Sequence, residues 1–83
     1  MKITVRYFAA IREAVGQSSE ALDTSASTLG QLREELIARG GVWAQALATE
    51  RAVRAALDHT ICDESLPLHE GCEVAFFPPV TGG

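Results

Sequence analysis

Long apolar runs are missing from this sequence, and their absence removes a class of function. No stretch approaches the roughly 20 apolar residues needed to cross a bilayer. The opening residues, MKITVRYF, alternate polar and apolar instead of forming an export signal. A cytoplasmic location without a membrane partner is the expectation. Basic residues are in the minority, seven against eleven acidic, for a net charge of -4, and they form no stripe along any helix or strand. Such a surface repels a nucleic-acid backbone and suits a basic protein partner. Cysteine is scarce. Cys62 and Cys72 are spaced neither as a zinc knuckle nor as a redox Cys-x-x-Cys pair. Without export no oxidising compartment would join them. Both fall in or beside apolar strand patterns and read as packed, inert thiols. No metal-ligand cluster, phosphate loop or activated nucleophile is visible. A chain of this size buries only about 60% of its unfolded surface, which leaves little room for a private cleft. We therefore expect a single ordered domain that is not an enzyme by itself and holds neither a metal nor a stably bound cofactor.

What is present is periodic. Ile3, Val5 and Tyr7 alternate with Lys2, Thr4 and Arg6, the signature of a half-buried strand. Ala9 to Val15 reads as a short helical turn closed by Gly16, and a weaker strand is expected around Ala21 to Asp23. Thr28 and Gln31 form a capping box for the main helix. Leu29, Leu32, Leu36 and Ile37 line one face of that helix, with Arg33, Glu34, Glu35 and Arg39 mostly on the other. Gly40-Gly41 should end it. Val42 to Ala48, anchored by Trp43 and Leu47, predicts a further helical piece. Val53, Ala55 and Leu57 alternate, Asp58-His59 has turn character, and Thr60 to Cys62 makes a short edge strand. Leu66-Pro67-Leu68 is an apolar crossing, His69-Glu70-Gly71 a turn, and Glu73 to Phe77 the last strand. His59 and His69 read as turn residues, having no nucleophile or metal-ligand partner at a usable spacing. This order of elements matches an α+β, ubiquitin-like β-grasp: a mixed sheet with one main helix packed on it, first and last strands side by side. We place the domain at 1–77 and an extended, flexible tail at 78–83.

The tail reads Pro-Pro-Val-Thr-Gly-Gly directly after an apolar strand. Pro78 and Pro79 donate no backbone hydrogen bonds and favour polyproline II, so they end sheet pairing and stiffen the exit. Six residues at about 3.3 Å each reach on the order of 20 Å, enough to thread a partner's tunnel. Gly82 and Gly83 carry no Cβ, so the terminal carboxylate could approach a phosphate or a sulfur donor closely. A carboxylate is a poor electrophile. It needs activation, by attack on the α-phosphate of ATP, before a sulfur nucleophile can displace AMP. On the last strand, Val74 and Phe76 share one face and Ala75 and Phe77 the other. Phe77, Pro79 and Val80 then continue an apolar surface that Phe8 can join, a candidate partner-binding patch that includes Pro78 and Thr81.

The segment EVAFFPPVTGG, Glu73 to Gly83, resembles the C-terminal signature of the molybdopterin synthase sulfur-carrier subunit family. YFAAIREAVG, Tyr7 to Gly16, is similar to that family's opening segment, and the Thr28 capping box and the Trp43 helix fall in register. One departure is Asp58, where the family often places Asn. The resemblance implies that Gly83 is adenylated by a ubiquitin-activating-like adenylyltransferase that uses ATP. A sulfurtransferase then supplies sulfur to form a thiocarboxylate, and the tail enters the large, catalytic subunit of molybdopterin synthase. There it would donate sulfur to cyclic pyranopterin monophosphate, in a heterotetramer with one small subunit at each end. Three rivals stay open: a carrier for thiamine thiazole synthesis, a protein modifier, and a docking module without terminal chemistry.

Overall fold

The computed structural model describes residues 1–79. These form, in chain order, β1 (Lys2–Tyr7), α1 (Ala9–Val15), β2 (Ser19–Asp23), α2 (Leu29–Ile37), α3 (Gly41–Leu47), β3 (Arg54–Leu57), β4 (Thr60–Cys62) and β5 (Glu73–Phe77). The sheet runs β2-β1-β5-β3-β4. Its central pair, β1 and β5, is parallel, and every other pairing is antiparallel. First and last strands therefore lie side by side, as the β-grasp expectation requires. The strand β2 begins two residues earlier than its apolar pattern, because Ser19 and Glu20 pair with Arg6 and Val5 along a sheet edge that tolerates polar residues.

Period-two burial places Ile3, Val5 and Tyr7 inward from β1, and Val74 and Phe76 inward from β5. They meet Leu29, Leu32 and Leu36 of α2, Leu47 of α3 and Ile11 of α1 in one core. Tyr7 is almost wholly buried, yet its hydroxyl donates to Glu20 at 2.8 Å, so its polar end is satisfied at the core margin. Burial raises the Tyr7 pKa far above its ordinary value, and the neighbouring carboxylate adds to this. Arg39 closes the cluster, donating to both Glu20 oxygens at 3.0 Å while stacking over Trp43 at 4.5 Å. Burial opposes ionisation of Glu20, but the hydrogen bonds from Arg39 and Tyr7 override it and hold the carboxyl below its ordinary pKa.

Two expectations for the main helix are corrected. It ends at Ile37, before the glycines. The N–H of Arg39 and of Gly40 reach back only three residues, to Leu36 and Ile37, which tightens the last turn. Gly40, at φ 77, then turns the chain into α3, which starts one residue earlier than its apolar pattern. The second correction is Arg33, placed by its charge on the solvent face but in fact 5% exposed. Its Nε donates to the Leu47 carbonyl at 2.7 Å, and one terminal nitrogen donates to the carbonyls of Ala48 at 2.6 Å and Arg51 at 3.2 Å. The other terminal nitrogen meets Glu64 at 2.5 Å. Carbonyls at a helix C-terminus have no partner within the helix and carry partial negative charge. A guanidinium satisfies several at once, so burying this charge completes the end of α3.

Candidate functional site

The outer surface of the sheet, away from the helices, is where the candidate residues gather. Cross-strand register puts Arg6, Ala75, Ala56 and Ile61 in one row and Phe77 opposite Arg54 in the next. Ala75 and Ala56 are small and form a floor, while Ile61 and Phe77 rise from it. With Arg54 and Pro79 they enclose an open groove of about 290 Å³. Ile61 is 66% exposed, unusual for an isoleucine in a strand, whereas Phe77 is half-buried. Phe76 and Phe77 thus separate to opposite faces, as alternation predicts.

Phe8 lies one residue past β1, where its N–H donates to the Phe76 carbonyl at 3.1 Å. It is 38% exposed, with the Arg6 guanidinium 5.3 Å from its ring centre. Pro78 and Pro79 follow β5, both half-buried. Pro79 borders the groove. Pro78 instead lines a second depression, a cleft of about 200 Å³ between α1 and α3 that also includes Ile11, Ala46, Arg51 and Val53. The other residues singled out from the sequence, Val80, Thr81, Gly82 and Gly83, lie outside the described residues. Sequence reasoning missed Ile61 and Arg54. The signal for Ile61 was parity: Cys62 packs against the core, so its neighbour must face out.

Charged groups border one end of this face. Glu73 reaches Arg6 at 3.6 Å and His59 at 3.4 Å. Asp58 sits in the left-handed region at φ 48, a conformation that Asp and Asn tolerate best among side-chain-bearing residues. One of its carboxylate oxygens accepts the Glu73 N–H at 2.9 Å, and the other meets His69 Nε2 at 2.7 Å. The backbone hydrogen bond, helped by His69, holds the Asp58 carboxyl below its ordinary pKa. His69 Nδ1 faces the Glu70 carbonyl at 3.2 Å. Both ring nitrogens therefore face acceptors, which favours the imidazolium. The Asp58 hydrogen bond leads in raising the His69 pKa, and the Glu70 carbonyl adds to it. His59 lies in a turn, and His69 opens the next one, its carbonyl accepting the Cys72 N–H at 3.1 Å, as their sequence context indicates. Cys72 is fully buried, and burial also pushes the pKa of the half-buried Cys62 thiol up. Neither thiol is poised to attack.

The sequence profile of the ThiS family matches residues 5–83. The chain belongs to the ThiS family. Two relatives extend the similarity over nearly the full length of both chains. The molybdopterin synthase sulfur carrier subunit of Escherichia coli K12 is 41% identical over 81 residues, covering 98% of this chain and 99% of the relative. The Haemophilus influenzae subunit of the same name is 36% identical with the same coverage. Among solved structures, SAMP1 of Haloferax volcanii superposes with a TM-score of 0.76 over the whole of both chains at 20% identity, a likeness of fold. The complex of subunits 1 and 2 of molybdopterin-converting factor from Helicobacter pylori contains a chain that matches with a TM-score of 0.70 at 25% identity, again covering all of both chains. This ThiS-family chain is thus a ubiquitin-like β-grasp whose surface carries an apolar groove beside the root of its Pro-Pro-Val-Thr-Gly-Gly segment.

Proposed function

We propose that this protein is the sulfur carrier of molybdopterin synthase, acting in molybdenum cofactor biosynthesis. The observation that carries the reading is continuity. The outward row of β5 runs through Phe77 to Pro79 at an open apolar groove, and the sequence then leads in four residues to Gly82-Gly83. In this reading a partner that covers the groove also receives the tail, residues 78–83. Similarity to two molybdopterin synthase carriers over nearly their whole length supports the choice of pathway. The Helicobacter pylori complex, in which subunits 1 and 2 of the converting factor associate, supports a large subunit as the partner.

In this reading the Gly83 carboxylate attacks the α-phosphate of ATP on a ubiquitin-activating-like enzyme, expelling pyrophosphate and forming an acyl adenylate. Sulfur at the sulfide level, supplied by a sulfurtransferase, attacks the acyl carbon and displaces AMP, leaving a thiocarboxylate. In the large subunit the sulfur passes to cyclic pyranopterin monophosphate, and water attacking the acyl carbon restores the carboxylate for another round. Two such transfers complete a dithiolene. The carrier contributes reach and a chain end without side chains, and Phe8, Ile61, Phe77 and Pro79 contribute the docking surface. Magnesium and general bases are left to the partner enzymes.

A carrier for thiamine thiazole synthesis shares the fold and the terminal glycines, and it is distinguished by binding. This protein is expected to bind a molybdopterin synthase large subunit through the Phe77 face. Intact-mass measurement after incubation with ATP, activating enzyme and a sulfur source should show one oxygen of the chain exchanged for sulfur. Deletion of Gly83 should abolish that exchange and the synthesis of molybdopterin while leaving folding and large-subunit binding in place. Full activity of the shortened chain would instead establish a docking module.

A further inference from the structure

Each of the two prolines at the root of the tail shares a depression with an arginine. Arg54 lines the outer groove with Phe77 and Pro79, and Arg51 lines the cleft behind it with Pro78. Of the seven basic residues, Arg6, Arg33 and Arg39 are engaged by Glu73, Glu64 and Glu20. Lys2 and Arg12 line neither depression. Among the described residues the side chains of Arg51 and Arg54 have no carboxylate partner, and both residues are exposed. The chain as a whole carries a net charge of -4, so this pair stands against the prevailing sign. A protein that receives residues 80–83 in a channel comes up against Pro78 and Pro79, and so against the two depressions that Arg51 and Arg54 line. A guanidinium taken out of water without an acceptor is strongly unfavourable.

We propose that Arg51 and Arg54 form a cationic collar at the tail's root that meets carboxylates on the rim of the partner's channel. The inference rests on the carrier reading above and adds the chemistry of the partner's contact. The apolar groove holds the complex together, while the collar steers the tail toward the channel mouth and sets its orientation. Charges at an interface rim act chiefly on the rate of encounter, and their effect is screened by salt. The partner can be basic overall, to suit an acidic carrier, and still be acidic at this mouth. That local reversal discriminates against docking by the wrong face.

The test compares association of the full-length protein and its Arg51→Glu/Arg54→Glu variant with the purified molybdopterin synthase large subunit, by stopped-flow fluorescence at low and high salt. At about 0.02 M salt the double reversal should slow association at least about tenfold, within the range by which steering raises on-rates. At about 0.5 M salt, where the Debye length is only about 4 Å, the two rates should come within about threefold of each other. Circular dichroism and thermal melts should be unchanged, since neither side chain is buried. Association within about twofold of wild type at low salt would overturn the collar, and so would a deficit that persists undiminished at high salt. A Phe77→Asp variant tests the docking face separately. Lost binding by that variant with unaltered association of the double reversal would remove the collar alone. Unaltered binding by both would remove the docking face as well.

Discussion

Phe76 and Phe77 are neighbours on one strand with the same side chain and opposite fates. Phe76 is fully buried beneath the helices, whereas Phe77 is half-buried on the outer face, opposite Arg54 and beside Pro79. The inner face is saturated: Tyr7, Val5, Val74 and the leucines of α2 surround Phe76, and each is almost completely removed from solvent. The outer face is underfilled, with Ala75 and Ala56 as floor and Ile61 left standing largely in water. A small domain has little apolar surface to spare. Apolar side chains kept on the unfilled side of a sheet point to contact with another protein. In the proposed reading, stability and recognition are thus written on alternate residues of the same strand.

Truncating both aromatics puts that division to the test. Phe76→Ala should give the largest effect, lowering unfolding free energy by about 3–5 kcal/mol in urea denaturation. In a domain of this size that leaves little folded protein at growth temperature. Removing Arg33 comes next. Arg33→Ala strands the carbonyls of Leu47 and Ala48, and should cost about 2–3 kcal/mol. Hydrogen exchange in such a variant should rise first in α3. Phe77→Ala is expected to cost only about 1 kcal/mol in stability, yet to weaken binding to the large subunit by about tenfold or more. If Phe77→Ala unfolds the protein as readily as Phe76→Ala does, the separation of roles between the two faces fails.

The smallest effect belongs to the charged end of the outer face. His69 has its pKa raised above the ordinary 6.5 by Asp58, so its stabilisation is present below pH 6.5 and is lost as pH rises through the higher folded value. Asp58 has its pKa lowered below the ordinary 3.8, chiefly by the Glu73 N–H, so its stabilisation is present above pH 3.8 and is lost as pH falls through the lower folded value. Asp58→Asn keeps a residue that tolerates the left-handed backbone and removes the charge. The urea midpoint of wild type should exceed that of Asp58→Asn most between pH 3.8 and 6.5, and the difference should shrink on either side. A gap independent of pH would show that Asp58 acts through shape alone.

Much of the fold could be read before any coordinates. Strict alternation in Lys2 to Tyr7 and in Glu73 to Phe77 and the Thr28 cap each carry a local physical cause, and those elements appear where that cause predicts them. The end of the main helix was less legible, because a tightened last turn and a C-terminal glycine leave similar traces in sequence. Arg33 was misread because its charge was weighed above its position. It stands four residues after Leu29 and four before Ile37, which is the buried face of the helix.

Local spacing therefore determined by itself which residues make strands, which face each side chain takes, and that the chain runs through two prolines toward two glycines. Those are short-range properties of backbone geometry. Only the tertiary structure decided that Ile61 and Arg54, distant in sequence from Phe77, share its groove. It also decided that Arg33 joins α2 to the end of α3, and that Arg51 shares a cleft with Pro78 while Arg54 shares the groove with Pro79. Such pairings depend on which strands lie next to which and in what register. That outcome follows from packing the whole core at once, so no single window of sequence contains it.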